Sequence, residues 1–215
     1  MSLVILLLGN SCKDKPQPEK KAQEPQVESV KSLSPVYKEI AAFMDLEVSD
    51  STQIEQVLDF KALMGEGEVV TSDATQNLSF YKAIMKNGKA ASLPIFEAVG
   101  SDMTLLIFTG KGYIGTLWAK VLIDKATGKT IKVRFGHKME SEGYGNGIVS
   151  SAFGDQFSNK QISFEENSFG LNQNGKLAIK GITEIDGVSG ATITSSAVVE
   201  MLNDGLKNYK TYLSP

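Results

Sequence analysis

The chain has 215 residues, 41% of them apolar, enough for a real core in one large domain or in one domain with a tail. Its net charge of −3 at pH 7 gives no basic surface for nucleic acid, so that partner class is set aside. One cysteine, Cys12, excludes an internal disulfide, and one histidine, His137, leaves no Cys/His cluster with metal-ligand spacing.

Residues 1–12 read MSLVILLLGNSC. The apolar run at 3–8 is far too short to cross a bilayer, which takes ~20 residues. It reads as the end of a secretory signal's apolar part. Leu8-Gly9-Asn10-Ser11-Cys12 resembles a bacterial lipobox, in which the cysteine is lipidated and becomes the mature N-terminus. Asn10 is unusual there and no Lys or Arg precedes the run, which a missing upstream piece would explain. The other reading of Cys12 is a free thiol in a loose arm. Residues 13–32 place Pro16, Pro18 and Pro25 among Lys, Glu and Gln, a composition that stays extended and would serve as a tether. The folded domain is expected over residues 33–215.

Ser34-Pro35 is a helix start, with Pro35 at the first helical position and Val36, Tyr37, Ile40, Ala41 and Met44 on one face. Ser51 is the expected cap of a second helix whose Ile54, Val57 and Leu58 face inward. Gly65-Glu66-Gly67 breaks the chain, and residues 71–89 fit helix and strand alike until the turn at Asn87-Gly88. Strands follow at 93–96, with Pro94 at an edge or strand start, and at 103–108. Gly110-Lys111-Gly112-Tyr113 reads as a tight turn, since no helix follows to make it a phosphate loop. A strand over 114–124 puts Leu117, Ala119, Val121 and Ile123 on one face. After a turn at 126–129, Ile131 to Phe135 alternate cleanly, which makes a β-hairpin and predicts an antiparallel sheet with one solvated face.

Near the C-terminus the apolar run at 177–182 reads as a strand, and Ala197, Val198, Met201, Leu202, Leu206, Tyr209 and Leu213 line one face of a helix starting near Ser195. Between them stands Asp186-Gly187-Val188-Ser189-Gly190-Ala191-Thr192. This is a strand-to-helix turn in which Gly187 and Gly190 supply unusual backbone angles and Thr194 or Ser195 caps the helix. Thr192 then lies just ahead of free N–H groups and the positive end of a helix dipole, where an anion is favoured. A plain capping turn is the bland alternative.

The pattern Asp-x-x-Ser-Gly-Ala-Thr, carried by Asp186, Ser189, Gly190, Ala191 and Thr192, resembles the flavinylation motif of the FMN-binding domain family. That domain is shared by the C subunit of the Na+-translocating NADH:quinone reductase (Nqr) and the G subunit of the Rnf complex. The resemblance extends over 93–213. Gly110 to Ala119 is similar to the family's glycine-led strand. Residues 137–145 are similar to its Glu-Thr-Pro-Gly-Leu-Gly loop, where Glu140, Gly143 and Gly145 match and Ser141, Glu142 and Tyr144 depart. Phe153, Phe157 and Lys160 follow a family Phe-x-x-x-Phe-x-x-Lys pattern.

The resemblance implies covalent FMN on Thr192 through a phosphoester, made by a separate flavin transferase, with the isoalloxazine ring free for redox work. It implies that residues 140–145 lie beside the flavin, with Tyr144 touching the ring and Gly143 and Gly145 leaving it room. No catalytic residue or metal site is expected: Glu140 and Glu142 do not form an acid/base pair. Trp118 reads as core, and His137 as a surface or capping residue.

The expected fold is α+β, a twisted, mainly antiparallel sheet with packed helices. The expected function is that of an electron-carrying subunit among the other subunits of a membrane redox complex. It would sit on the extracytoplasmic face of a bacterial inner membrane, anchored by lipid on Cys12 or by a missing N-terminal helix. A free-standing flavinylated lipoprotein serving an extracytoplasmic reductase is the alternative, and a lipid-anchored interaction module the non-redox one.

Overall fold

The computed structural model describes residues 32–214, so the readings of Cys12 and of the tether lie outside the described residues. Helix α1 (Pro35–Phe43) starts at the predicted proline and buries Tyr37, Ile40 and Ala41. Helix α2 (Ile54–Val57) is a single turn whose N-cap residue is Gln53, not Ser51. Leu58, expected on that helix, instead opens strand β1 (Leu58–Leu63), which pairs with β2 (Val69–Thr71). The ambiguous stretch resolves as helix α3 (Ala74–Asn87). Asp73 accepts the Gln76 N–H at its start, and Gly88 at φ 74° ends it.

Strands β3 (Leu93–Ala98), β4 (Met103–Lys111), β5 (Thr116–Asp124) and β6 (Lys129–His137) complete a six-stranded sheet in the order β2-β1-β3-β4-β5-β6, antiparallel throughout. Pro94 stands at the second position of β3, beyond the reach of that strand's pairing with β4. β4 runs through Gly110, so the turn lies at 112–115. Gly110 serves close packing instead: a Cβ there would come 2.9 Å from the side chain of Met201.

Helix α4 (Ser151–Asp155) precedes a second sheet. In it β7 (Phe169–Gln173) pairs antiparallel with β8 (Lys176–Ile179) and parallel with β9 (Thr183–Asp186). The run at 177–182 is therefore not one buried strand, and Leu177 is exposed. Helices α5 (Thr192–Asn208) and α6 (Lys210–Leu213) end the fold.

The sheet was expected to leave one face in water, and it does not. Leu58, Phe60, Phe96, Leu105, Ile107 and Leu122 pack with Tyr37, Ile40 and Ile84 of α1 and α3. Leu106, Phe108, Leu117, Ala119, Val121, Val133 and Phe135 pack on the other face with α5, α4 and the small sheet. Trp118 is partly buried and packs against the α1/α3 side. A bulge between Leu122 and Ile123 leaves Ile131 without a partner in the register, so it packs on the face opposite to Val133 and Phe135.

One buried polar network ties α6 to the sheet. Glu97 takes Lys61 at 2.8 Å, Lys125 at 2.6 Å and the Tyr212 hydroxyl at 2.5 Å. Burial pushes the Glu97 carboxyl up, but the hydrogen bonds from Lys125, Lys61 and Tyr212 outweigh it and bring the pKa to about 2, from an ordinary 4.5. A depressed folded-state pKa gives stability that is present above the unfolded value and lost as pH falls through the folded one. Glu97→Gln is expected to cost roughly 1.5–3 kcal/mol near neutral pH. Urea titrations from pH 7 down to 2.5 should show that deficit shrinking below about pH 4.5. A constant deficit would refute the assignment.

Candidate functional site

Helix α5 starts at Thr192, three residues earlier than expected. Its N-cap residue is Ala191, and no side chain caps it. The first bond into the helix runs from the Ser195 N–H to the Ala191 carbonyl at 2.9 Å, so the N–H groups of Thr192, Ile193 and Thr194 lie ahead of it. These are groups that a phosphate satisfies.

The two residues expected to cap the helix are occupied elsewhere. Thr194 is buried and donates to Glu140 Oε2 at 2.7 Å. Ser195 is buried and its Oγ accepts the Val188 N–H at 3.0 Å. Thr192 is exposed.

The turn ahead of α5 is held from below. Gly187 N–H donates to the Asn172 carbonyl at 2.8 Å, and Gln173 Nε2 to the Val188 carbonyl at 3.2 Å. Only Gly190 of the two motif glycines has positive φ, at 74°. Gly187 is glycine for a different reason: a Cβ there would lie 1.8 Å from Gln173 Oε1.

The motif and the loop at 140–145 meet in a cleft of about 390 Å³, within the ~300–1,000 Å³ range of small-molecule sites. Tyr113, Glu140, Ser141, Tyr144, Gly145, Gly190, Ala191, Thr192, Ile193 and Thr194 line it. Tyr144 lies against Gly190, where a Cβ would come 3.0 Å from its ring, and Tyr113 and Tyr144 are 64% and 60% exposed. The cleft thus offers apolar and aromatic surface at its rim and unpaired N–H groups with a free hydroxyl at the helix end. An aromatic ring joined to a phosphate fits that donor set.

Of the predicted site residues, Thr192, Gly190, Ala191, Glu140, Tyr144 and Gly145 line the cleft, and Asp186, Ser189 and Gly143 do not. Asp186 ends β9, where its backbone N–H and carbonyl bond Gln156 at 2.8 and 3.1 Å. A Cβ at Gly143 would meet no protein atom within 4 Å. The φ of 78° at Gly143 is what calls for glycine. Gly145 leaves room for the Glu140–Thr194 hydrogen bond, since a Cβ there would come 2.6 Å from Glu140 Oε2. His137 acts as a local cap, its Nδ1 accepting the Glu140 N–H at 3.1 Å.

Ser141 lines the cleft within the expected loop, while Tyr113, Ile193 and Thr194 belong to the cleft and were not foreseen there. The signal for Tyr113 was an aromatic residue beside a glycine pair at a strand end. Among the described residues, no group of three or more His, Cys, Asp or Glu could hold a metal, and no helix is long and apolar enough to cross a membrane.

An α+β domain with a small-molecule cleft at a helix N-terminus is the class that these features define. Residues 112–207 match the family model of the FMN-binding domain. The chain is similar to the crystal structure of NqrC, the C subunit of the Na(+)-translocating NADH-quinone reductase, from Parabacteroides distasonis. The identity is 27% and the TM-score 0.64, over 84% of this chain and 92% of that one. It is also similar to Shewanella oneidensis NqrC, at 14% identity and TM-score 0.62 over 83% and 95%, a likeness that speaks for the fold alone. No curated protein matches the chain.

Proposed function

We propose that this protein is an electron-transfer subunit that carries FMN bound covalently to Thr192, as part of a membrane redox complex of the Nqr or Rnf type. The observation that carries the attachment is the contrast among hydroxyls. Thr192 is exposed at the first position of α5 inside the cleft, while Thr194 and Ser195 are buried and bonded. A phosphoester at Thr192 sets the phosphate against the unpaired N–H groups of the helix end. The bound flavin supplies the redox chemistry; this chain binds it, orients it and shields part of its surface. The family match and the likeness to NqrC of the Na(+)-translocating reductase support the electron-transfer role.

Thr192 has no His or Cys close in sequence to activate it, which suits a hydroxyl modified by a separate transferase. Co-expression with a flavin transferase, followed by a denaturing gel under ultraviolet light, should give a fluorescent band at the mass of this chain. Absence of the band sinks the covalent reading. Flavin or integral-membrane subunits in neighbouring reading frames would support the complex over a free-standing flavoprotein.

Lipid on Cys12, or an upstream helix, would hold the domain at the extracytoplasmic face of the membrane. In a bacterial host that lipidates such cysteines, Cys12→Ser should move the protein from membrane to soluble fraction, and identical fractionation of both forms rejects lipidation. Tyr144 is the candidate for contact with the ring. Tyr144→Leu should keep attachment and shift the flavin midpoint by roughly 10–30 mV, the scale of an aromatic contact. An unchanged spectrum and potential would remove Tyr144 from the ring's surroundings.

A further inference from the structure

We propose that Glu140 is the positioning residue of this cleft and supplies a fixed negative charge in its wall. One carboxylate joins three pieces of chain. Oε1 accepts the Ile114 N–H at 3.0 Å and the Gly115 N–H at 3.4 Å, both from the turn between β4 and β5. Oε2 accepts the Thr194 hydroxyl at 2.7 Å, from the first turn of α5. Glu140 itself stands on the loop that follows β6, with its own N–H bound to His137.

The surroundings are shaped around that side chain. It is 7% exposed, yet it lines the cleft. A Cβ at Gly112 would come 2.4 Å from Oε1, and one at Gly145 would come 2.6 Å from Oε2. The carboxylate has space because both flanking positions lack a side chain. If packing were the whole purpose, an apolar residue would serve without the cost of burying a charge.

The group stays ionised. Burial pushes its pKa up, but hydrogen bonds from Thr194, Ile114 and Gly115 outweigh that and hold it below the ordinary carboxylate range. The stability it provides is therefore present above the ordinary glutamate pKa and lost on acidification through the lowered one. A negative charge near the first turn of α5 is favourable with respect to the helix dipole.

Bonded to three donors, the carboxylate does not swing out to act as a ligand. It holds the turn that carries Tyr113 against the helix that carries Thr192. Its charge also opposes the addition of electrons to a group bound in the cleft, and this second effect rests on the flavin reading above.

The test uses Glu140→Gln and Glu140→Ala in the whole chain, without flavin and after loading by a transferase. In flavin-free protein, the Ile114 and Gly115 amides should exchange with solvent about tenfold faster in Glu140→Ala, the scale of a lost bond to a charged acceptor. Glu140→Gln, whose amide oxygen still accepts, should stay close to the parent. Where Glu140→Ala does not fold, Glu140→Asp, one methylene short of the turn, takes its place with the same expectation.

In loaded protein titrated with dithionite, Glu140→Gln should raise the flavin midpoint, with about a tenfold change in the reduction equilibrium, ~30 mV for a two-electron couple. Unchanged amide exchange overturns the brace. A loaded Glu140→Gln with the parent's midpoint overturns the charge role. A parent that takes no flavin overturns the flavin reading and the charge role together, and the exchange measurement then decides the brace alone.

Discussion

Thr192→Val is expected to abolish covalent flavin while leaving the fold unchanged. Valine keeps the branched shape and removes only the hydroxyl. Thr192 is exposed at the first helical position, and surface changes of this kind lie within about 0.5 kcal/mol. The readout is all or none: a fluorescent band in the parent, none in the variant, and equal thermal melts for both.

The choice of control follows from the hydroxyls around it. Thr194→Val is a poor control, although its hydroxyl is not an attachment candidate. It strips Glu140 Oε2 of its donor and should cost roughly 1–3 kcal/mol. Ser189, exposed in the turn and outside the cleft lining, is the better one, and Ser189→Ala should keep the band. A band retained in Thr192→Val would move the attachment elsewhere and remove the main support for the proposed function.

Much of the architecture was legible in the sequence because it is written in local periodicity. The hairpin of β5 and β6 shows as alternation, and α5 shows as a repeating apolar face whose Val198, Met201, Leu202 and Leu206 are buried. What escaped depends on tertiary context. Leu58 satisfies the end of a helical pattern and the start of an alternating one, Leu58, Phe60, Ala62, and pairing with β3 decides for the strand. The bulge at Ile131 leaves no mark in its own residues. The two-sided burial of the sheet needs α1 and α3 to fold back over it, and no short-range pattern says which face a helix will cover.

The site divides in the same way. Thr192 and the loop opposite it were picked out by motif resemblance, and both line the cleft. The motif's outer residues, Asp186 and Ser189, lie off the cleft. Thr194 looked like a cap because hydroxyl residues before a helix usually are. The helix begins at Thr192 instead, and the Thr194 hydroxyl turns to a carboxylate 54 positions away in the chain. Glycines were legible as glycines, but their reasons were not. Gly143 serves a backbone angle, Gly145 a buried hydrogen bond, and Gly187 a glutamine beneath the turn.

Phe157→Ala is expected to be the most destabilising single change tested. Phe157 is fully buried, with its ring centroid 5.0 Å from Phe135, 5.3 Å from Phe153 and 5.0 Å from Phe169. Those partners come from β6, α4 and β7, so one ring joins the large sheet, the helix after the cleft loop and the small sheet. Removing it leaves a cavity bounded by three elements that cannot all collapse inward, and such truncations cost about 3–5 kcal/mol. For a domain of this size that is a fall of roughly 10 °C in Tm. The damage should reach the site through β7, whose Asn172 and Gln173 hold the turn before Thr192 from below. Flavin loading in Phe157→Ala should accordingly fail at 37 °C and recover at low temperature, while Thr192→Val fails at both. Phe157→Leu, which refills most of the space, should retain loading at both temperatures. A loss below about 1 kcal/mol for Phe157→Ala would show that the three elements do not depend on this ring.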